Sequence, residues 1–460
     1  MLGYHMQMEV TMNTVIQIGI DVHKDSYSLC SYSFETKQPF GQSRIASKNP
    51  QVVKYVRKLL ADRPGCTALC GYEAGPTGYV LYRELRDAGI PCVIMAPTSL
   101  PKASGSRVKN DRLDAQALAQ HLAWGTYSAV HVPTVQDEAV KNFTRLRNTR
   151  KESLKRAKQN LLSFLLLMGR SFNEGKSYWT QVHYTWLKRQ RFDNSINQRT
   201  FDEYLREVVD QQEKVDQLDR EIESLAAKDE YRELVGRLCC FRGIETHTAL
   251  SLITEVGDFR RFVSARQFSA FLGLVPSEDS SGNRERRGAI TKAGNTRLRL
   301  LLIEGAKSTL RSSVCGKKSK RLAARQSGNA AEVVAYADKA NRRLHRVYGR
   351  LVARGVHHNK ATVAVARELS CFVWGMMNGM ISGAREAKRT DGLGRCRQTV
   401  GRGHDPAIFD VPVAEIHTPA ADSTPDAAAD YSRCQTERAL GGPRSEEHTS
   451  DLQSRQVISY

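Results

Sequence analysis

At 460 residues, with 40% hydrophobic side chains, the chain is too long for one ordinary core and suits two or three. A net charge of +20 and a pI near 9.6 exclude an acidic or charge-balanced protein and favour a polyanionic partner, most often nucleic acid. The sequence has no signal peptide, no apolar run of membrane-spanning length and ten scattered cysteines without paired CxxC zinc spacing, so reduced thiols, a cytoplasmic setting and no membrane partner are expected.

The first ten residues carry no structural pattern, and Met12 just before the first strand is the expected natural start. Residues 15–20 form a β-branched run that predicts a buried central strand, with residues 27–34 as its hairpin partner. Helices are expected at 52–60 and 79–88, strands at 67–72 and 90–95, and a helix with an acidic first turn at 110–124. Hairpin strands followed by alternating helices and strands predict a mixed α/β sheet. Residues 137–227 read as mostly helical. A heptad places Phe201, Val208, Val215 and Ile222 at a and Tyr204, Gln211, Leu218 and Leu225 at d. Such a seam serves either a coiled-coil dimer or a helical hairpin packed on its own chain. Residues 234–380 predict a second compact, helical and basic domain. From Glu386 onward 9 Lys/Arg stand against 12 Asp/Glu, so the first 385 residues carry +23. That tail is expected to be disordered, and its end, from Arg444 to Ser454, resembles a translated sequencing adapter.

Four carboxylates stand out along this frame. Asp21 ends the first strand, Glu73 follows a later one, and Asp111 and Asp114 share a face at the start of a helix. A carboxylate at the end of a buried strand must find a cation or take up a proton. Oxygen-only clusters suit Mg²⁺ or Mn²⁺, and two such ions clamp both oxygens of a phosphoryl displacement. The plainer reading makes Asp111 an N-cap and Asp114 a partner of the helix dipole.

Downstream, Ser281-Gly282 lies in a basic stretch. Gly282, Gly288 and Gly294 allow close backbone approach, and Arg284, Arg286, Arg287, Lys292, Arg297 and Arg299 offer charge-assisted bonds to phosphate. A serine alcohol is a weak nucleophile and needs such cations or a metal to stabilise charge as it attacks. Residues 241–249 resemble a helix-hairpin-helix turn in which Gly243 presents backbone N–H groups to phosphates, although Glu245 and Thr246 occupy the place of the second glycine and its neighbour. An ordinary helix C-cap at Gly243 is the alternative.

Taken together, Ile18-Gly-Ile-Asp-Val-His-Lys24, Tyr72-Glu-Ala-Gly-Pro-Thr-Gly78, Lys109-Asn-Asp-Arg-Leu-Asp-Ala115, the block from Gly273 to Arg299, and His358-Asn-Lys-Ala361 with Val365-Ala-Arg-Glu-Leu369 resemble the insertion sequence 110 family of DEDD-type transposases. The resemblance covers residues 14–380. It implies a ribonuclease H/RuvC-like mixed-sheet domain (12–136), a helical coiled-coil linker (137–233) and a mainly helical C-terminal transposase domain (234–385), followed by the tail 386–460. It implies a metal-binding tetrad of Asp21, Glu73, Asp111 and Asp114 and a Ser281 nucleophile that forms a covalent phosphoserine link, with Ser280 one residue away in the alignment. Arg107 and Lys109 precede the acidic helix as phosphate contacts. Donor and target duplex DNA, a structured guide RNA and a homo-oligomer, dimer or tetramer, are the partners it implies. Two other classes compete: a structure-selective endonuclease that uses the carboxylates alone, and a non-catalytic nucleic-acid-binding protein.

Overall fold

The computed structural model describes residues 14–97, 100, 110–281, 284, 286–310 and 318–381. Arg107 and Lys109 lie outside them, as does the whole tail.

The N-terminal part is a five-stranded sheet ordered β3-β2-β1-β4-β5. Its strands are β1 (Val15–Val22), β2 (Ser26–Ser33), β3 (Gln38–Ala46), β4 (Thr67–Glu73) and β5 (Cys92–Met95). The first three run as an antiparallel meander, and β4 and β5 add in parallel to the other side of β1. The edge strand β3 escaped the sequence pattern because it alternates no apolar face and is nowhere buried. Ile16, Ile18 and Ile20 of β1 share one sheet face and pack with Val52 and Val56 of α1 (Asn49–Ala61) and Leu81 and Leu85 of α2 (Val80–Asp87). The opposite face receives α3 (Asp111–Trp124), whose Leu118 and Leu122 meet Met95.

Gly19 decides how closely α3 can lie. A Cβ there would stand 2.2 Å from the Ala115 carbonyl oxygen and 2.3 Å from the Ala119 nitrogen, so the helix backbone rests directly on the strand backbone. Gly71, the register partner of Gly19 on β4, makes room for Leu122 in the same way. Asn110 caps the helix by accepting from the Leu113 N–H at 3.0 Å, so the N-cap is Asn110 and not Asp111. Both aspartates are thereby left on the first turn, with side chains free to face the sheet.

Beyond the sheet, α4 (Val135–Leu167) runs antiparallel to α6 (Ser195–Ala226), with α5 (Gln181–Arg189) between them in sequence. Arg147 pairs with Asp219 near one end, and Lys158 donates to Gln212 further along. Phe201, Val208 and Val215 are buried against Leu154, Ala157, Leu161 and Leu165 of the same chain, while Ile222 joins Val140. The a positions and Gln211 are therefore buried within the chain, in a helical hairpin among the described residues, while Tyr204, Leu218 and Leu225 stay half-buried.

The C-terminal body forms around α8 (Thr246–Val256), where Ala249, Leu250, Leu252, Ile253 and Val256 are all buried. It is enclosed by α7 (Asp229–Cys239), α9 (Ala265–Phe271), α10 (Thr296–Leu310), α11 (Lys320–Gln326), α12 (Ala331–Ala353) and α13 (His358–Met377). Between α9 and α10 a two-stranded ribbon, β6 (Pro276–Glu278) with β7 (Arg287–Ile290), stands out from the helices. The ribbon interrupts a mainly helical body and is too short and too polar to declare an alternating pattern in sequence. Among the described residues no helix is long and apolar enough to cross a membrane, and the described cysteines are all free thiols.

Candidate active site

Because side chains alternate along a strand, Asp21 shares the face of Gly19, which is the face that receives α3. Glu73 follows Tyr72, the register partner of Ile20, and stands one strand over from Asp21 at the same end of the sheet. The helix supplies the other two carboxylates from its first turn. Asp21, His23 and Asp111 bring one ligand atom each within 4.8 Å of one another. The His23 Nε2 lies 3.0 Å from Asp21 Oδ2 and 3.6 Å from Asp111 Oδ1, and the Arg44 guanidinium reaches Asp111 at 3.9 Å.

The Asp21 side chain is only 18% exposed. Burial raises its pKa above the ordinary value; the hydrogen-bonded His23 opposes the shift, and the negative charges of Asp114 and Asp111 add to it. Asp114 is therefore close enough to act on Asp21 although it is outside the tight set, and Glu73, which is exposed, is outside it as well. Of the four expected carboxylates, two are in mutual reach and two flank them. His23 was missed as a site residue. Its signal was its position two residues beyond Asp21, which returns a side chain to the same face.

Hard oxygen donors crowded onto a half-buried aspartate fit a divalent cation. Such an ion offsets the burial, and then the like charges, that raise the Asp21 pKa, and it prefers oxygen donors of this kind. Asp21 and Asp111 would hold it, with Asp114 and Glu73 next to them.

The second cluster lies on the ribbon. Ser281 and Arg284 exchange backbone hydrogen bonds of 3.2 and 3.1 Å, which puts the serine at the ribbon's outer end. Its side chain is exposed, and its hydroxyl has no hydrogen bond among the described residues. Ser280 differs: its hydroxyl donates to Glu278 at 3.3 Å and accepts from the Arg286 N–H at 3.2 Å. Arg284, Arg286, Arg287, Lys292 and Arg297 are exposed. Arg287 also stands 3.9 Å from Glu278.

Two expected phosphate contacts sit differently from that reading. Arg299 is 8% exposed, and its guanidinium donates to the Leu272 and Ala293 carbonyls at 2.9 and 3.3 Å and to Thr296 Oγ1 at 3.0 Å. A guanidinium so engaged is an internal brace, because it is buried and three of its five N–H donors already meet acceptors inside the fold. Gly243 has φ +84°, and a Cβ there would lie 2.1 Å from the Gly305 carbonyl oxygen of α10. Its freedom serves the packing of the α7–α8 turn against α10. It is also not a helix C-cap, since α7 ends at Cys239 with Cys240 as its cap. Glu245, in place of a second glycine, is paired with Arg321 and Arg325 at 3.2 Å each.

Comparison with known proteins places names on both halves. A DEDD-type IS110 transposase family model matches residues 18–169, and the Transposase IS116/IS110/IS902 family model matches residues 236–321. The chain is 34% identical over 346 residues to a transposase for insertion sequence element IS1533 of Leptospira borgpetersenii, covering 74% of this chain and 97% of that protein. It is 39% identical over 319 residues to a putative transposase, y4qE, of Sinorhizobium fredii, covering 69% and 76% respectively. A transposase for insertion sequence element IS1111A of Coxiella burnetii is 29% identical over 302 residues, or 65% of this chain and 79% of that one. The first match spans the acidic sheet and the second spans the serine ribbon, and with relatives above 30% identity matched over most of their length, the chain belongs to the IS110 family of insertion-sequence transposases.

Proposed function

We propose that this transposase cuts and rejoins DNA strands by joint use of its two clusters, the acidic set providing a divalent-cation site and Ser281 the nucleophile. The observation that carries the reading is the crowding of Asp111 and Asp114 onto the half-buried Asp21, a charge arrangement that favours a cation over three separate solvated carboxylates. A divalent cation held there supplies electrostatic stabilisation of charge developing on phosphoryl oxygens. The protein's part is to fix the donors: Gly19 admits α3, and α3 delivers Asp111 and Asp114 to the strand that carries Asp21.

In the covalent step the Ser281 Oγ–P bond forms as one P–O ester bond of the strand breaks. The serine proton passes to water, and the departing strand oxygen takes one up. The link conserves phosphodiester energy, so a hydroxyl of the second strand reverses the step and releases serine. The Ser280 hydroxyl is already engaged, whereas that of Ser281 is exposed and has no hydrogen bond among the described residues, which favours Ser281. The exposed Arg284, Arg286, Arg287 and Lys292 are the groups that would meet phosphates of donor and target duplexes. A structured RNA transcribed beside the reading frame would choose those duplexes, as the family resemblance implies. More than one copy of the chain would act together, since two duplexes must be held at once.

The test is to denature a reaction in mid-course. DNA covalently attached to the peptide containing Ser281, lost in Ser281→Ala and retained in Ser280→Ala, is the expected outcome. Full activity of Ser281→Ala, with free cleaved ends and no adduct, would instead identify a nuclease that uses the carboxylates alone.

A further inference from the structure

The ribbon that carries Ser281 is exposed on both faces. Residues 276–281 and 286–289 are in solvent, and the two legs are joined by hydrogen bonds and by the Arg287–Glu278 pair. The rungs run from Lys292 N to Gly273 O (3.2 Å) and Thr291 N to Val275 O (2.9 Å), through Asp279 N to Arg286 O (2.9 Å), to the Ser281–Arg284 pair. A two-stranded ribbon without a packed face has little stability of its own. Its direction must therefore be set where it leaves the helices.

That base is unusually constrained. Gly273 (φ +66°), Lys292 (φ +55°) and Gly294 (φ +79°) all adopt left-handed backbone. A Cβ on Gly273 would lie 2.1 Å from the Ala293 oxygen, and one on Gly294 would lie 2.0 Å from the Phe271 oxygen, so the two legs cross in backbone contact. Asn295 is fully buried; its N–H donates to Phe271 O at 3.0 Å, and its Nδ2 donates at 3.0 Å to Glu255, which also pairs with Arg145 of α4. One guanidinium then joins the legs: Arg299 NH1 donates to Leu272 O on the outgoing leg and Ala293 O on the returning leg, while NH2 is fixed on Thr296.

We infer that Arg299 is a positioning residue for the transposase reaction, a clasp across the ribbon base that fixes where the Ser281 hydroxyl meets the DNA strand. The inference rests on the reading of Ser281 as nucleophile. Eight residues of extended chain separate Gly273 from Ser281, a lever of about 25 Å. A tilt of about 5° at the base moves the tip by about 2 Å, and displacements near 1 Å cost a reacting group about a hundredfold in rate. Lysine cannot replace the clasp, because a point charge on a flexible stem cannot serve three acceptors in a fixed plane.

The experiment compares wild type, Arg299→Lys and Thr296→Val in full-length protein, assembled with the DNA flanking its reading frame and the RNA transcribed from that flank. Adduct formation, duplex affinity by fluorescence anisotropy and amide exchange at Thr291 and Lys292 are read together. Arg299→Lys should form adduct about a hundredfold more slowly, with affinity within about twofold of wild type and faster exchange at the two amides. Thr296→Val should shift the same readouts in the same direction by less. Arg299→Ala, if it folds, should regain part of its rate with methylguanidinium. An unchanged adduct rate in Arg299→Lys, or a rate loss matched by an equal loss of affinity, overturns the clasp while leaving the nucleophile reading intact. A wild-type assembly that processes DNA without any Ser281 adduct overturns both.

Discussion

Asp21 sits beneath a helix whose backbone rests on strand backbone, whereas Ser281 sits at the end of a ribbon that touches solvent on both faces. Both are held by glycines at which a Cβ would collide, but to opposite ends. At Gly19 close packing draws two elements together and concentrates negative charge around the half-buried Asp21. At Gly273 and Gly294 close packing fixes two legs so that a basic arm can leave the body and stay aimed. The acidic site is thus made by burial and strains its own electrostatics, while the serine site is made by exposure and depends on distant bracing. Sensitivity should follow the same division: the first should respond to volume and charge at the site itself, the second to changes at its base.

The largest effect is expected at Gly19. Gly19→Val drives two extra methyls and a Cβ into the α3 backbone, and α3 cannot yield without abandoning the sheet. A loss of about 3 kcal/mol or more is expected in urea unfolding, with loss of all DNA processing. A mild effect would mean that α3 is not anchored there. Next, Asp21→Asn should abolish strand exchange while the fold is retained or stabilised, since burial and like charges already penalise the carboxylate. A variant that loses stability and activity together would show that Asp21 is structural.

Acid should separate the helical part from the sheet. His247, at the start of α8, is held neutral chiefly by burial and then by Arg147, which pushes its pKa down from 6.5 to about 4; Asp219 and the Thr144 backbone oppose the shift and Lys151 adds to it. The folded chain therefore binds fewer protons at this group than the unfolded one between these values. Its contribution to stability is complete above pH 6.5 and is lost as pH falls toward 4, to the extent of about 3 kcal/mol at most. His247→Gln should flatten that part of the pH profile, read as hydrogen exchange in α8, while β1 is unaffected. An identical acid response in the variant would remove His247 from the account. The smallest effect is expected for Ser280→Ala, which deletes one exposed hydroxyl from the ribbon and should cost less than about 0.5 kcal/mol. A large loss of adduct in that variant would shift the nucleophile by one residue.

Much of this molecule was legible from its residues. Runs such as residues 15–20 and 67–72 declare buried strands because a core strand must be apolar on both faces. The acidic first turn after Asn110 declares a helix start because its free N–H groups attract carboxylates and caps. The order of Asp21, Glu73, Asp111 and Asp114 suggests one cluster, of which the fold brings Asp21 and Asp111 into mutual reach and leaves Glu73 and Asp114 outside the tight set. What periodicity could not reveal was partnership. The apolar stripe of Phe201, Val208 and Val215 says only that something covers it, and the fold decides that α4 of the same chain does. An arginine in a basic run looks like a phosphate ligand in sequence, since charge is local and burial is not. Only the crossing of residues 272–273 with 293–294 turns Arg299 inward onto two carbonyls. His23 joins Asp21 and Asp111 for the same reason: strand and helix positions are written locally, but the distance between them is set by how near Gly19 lets the helix come.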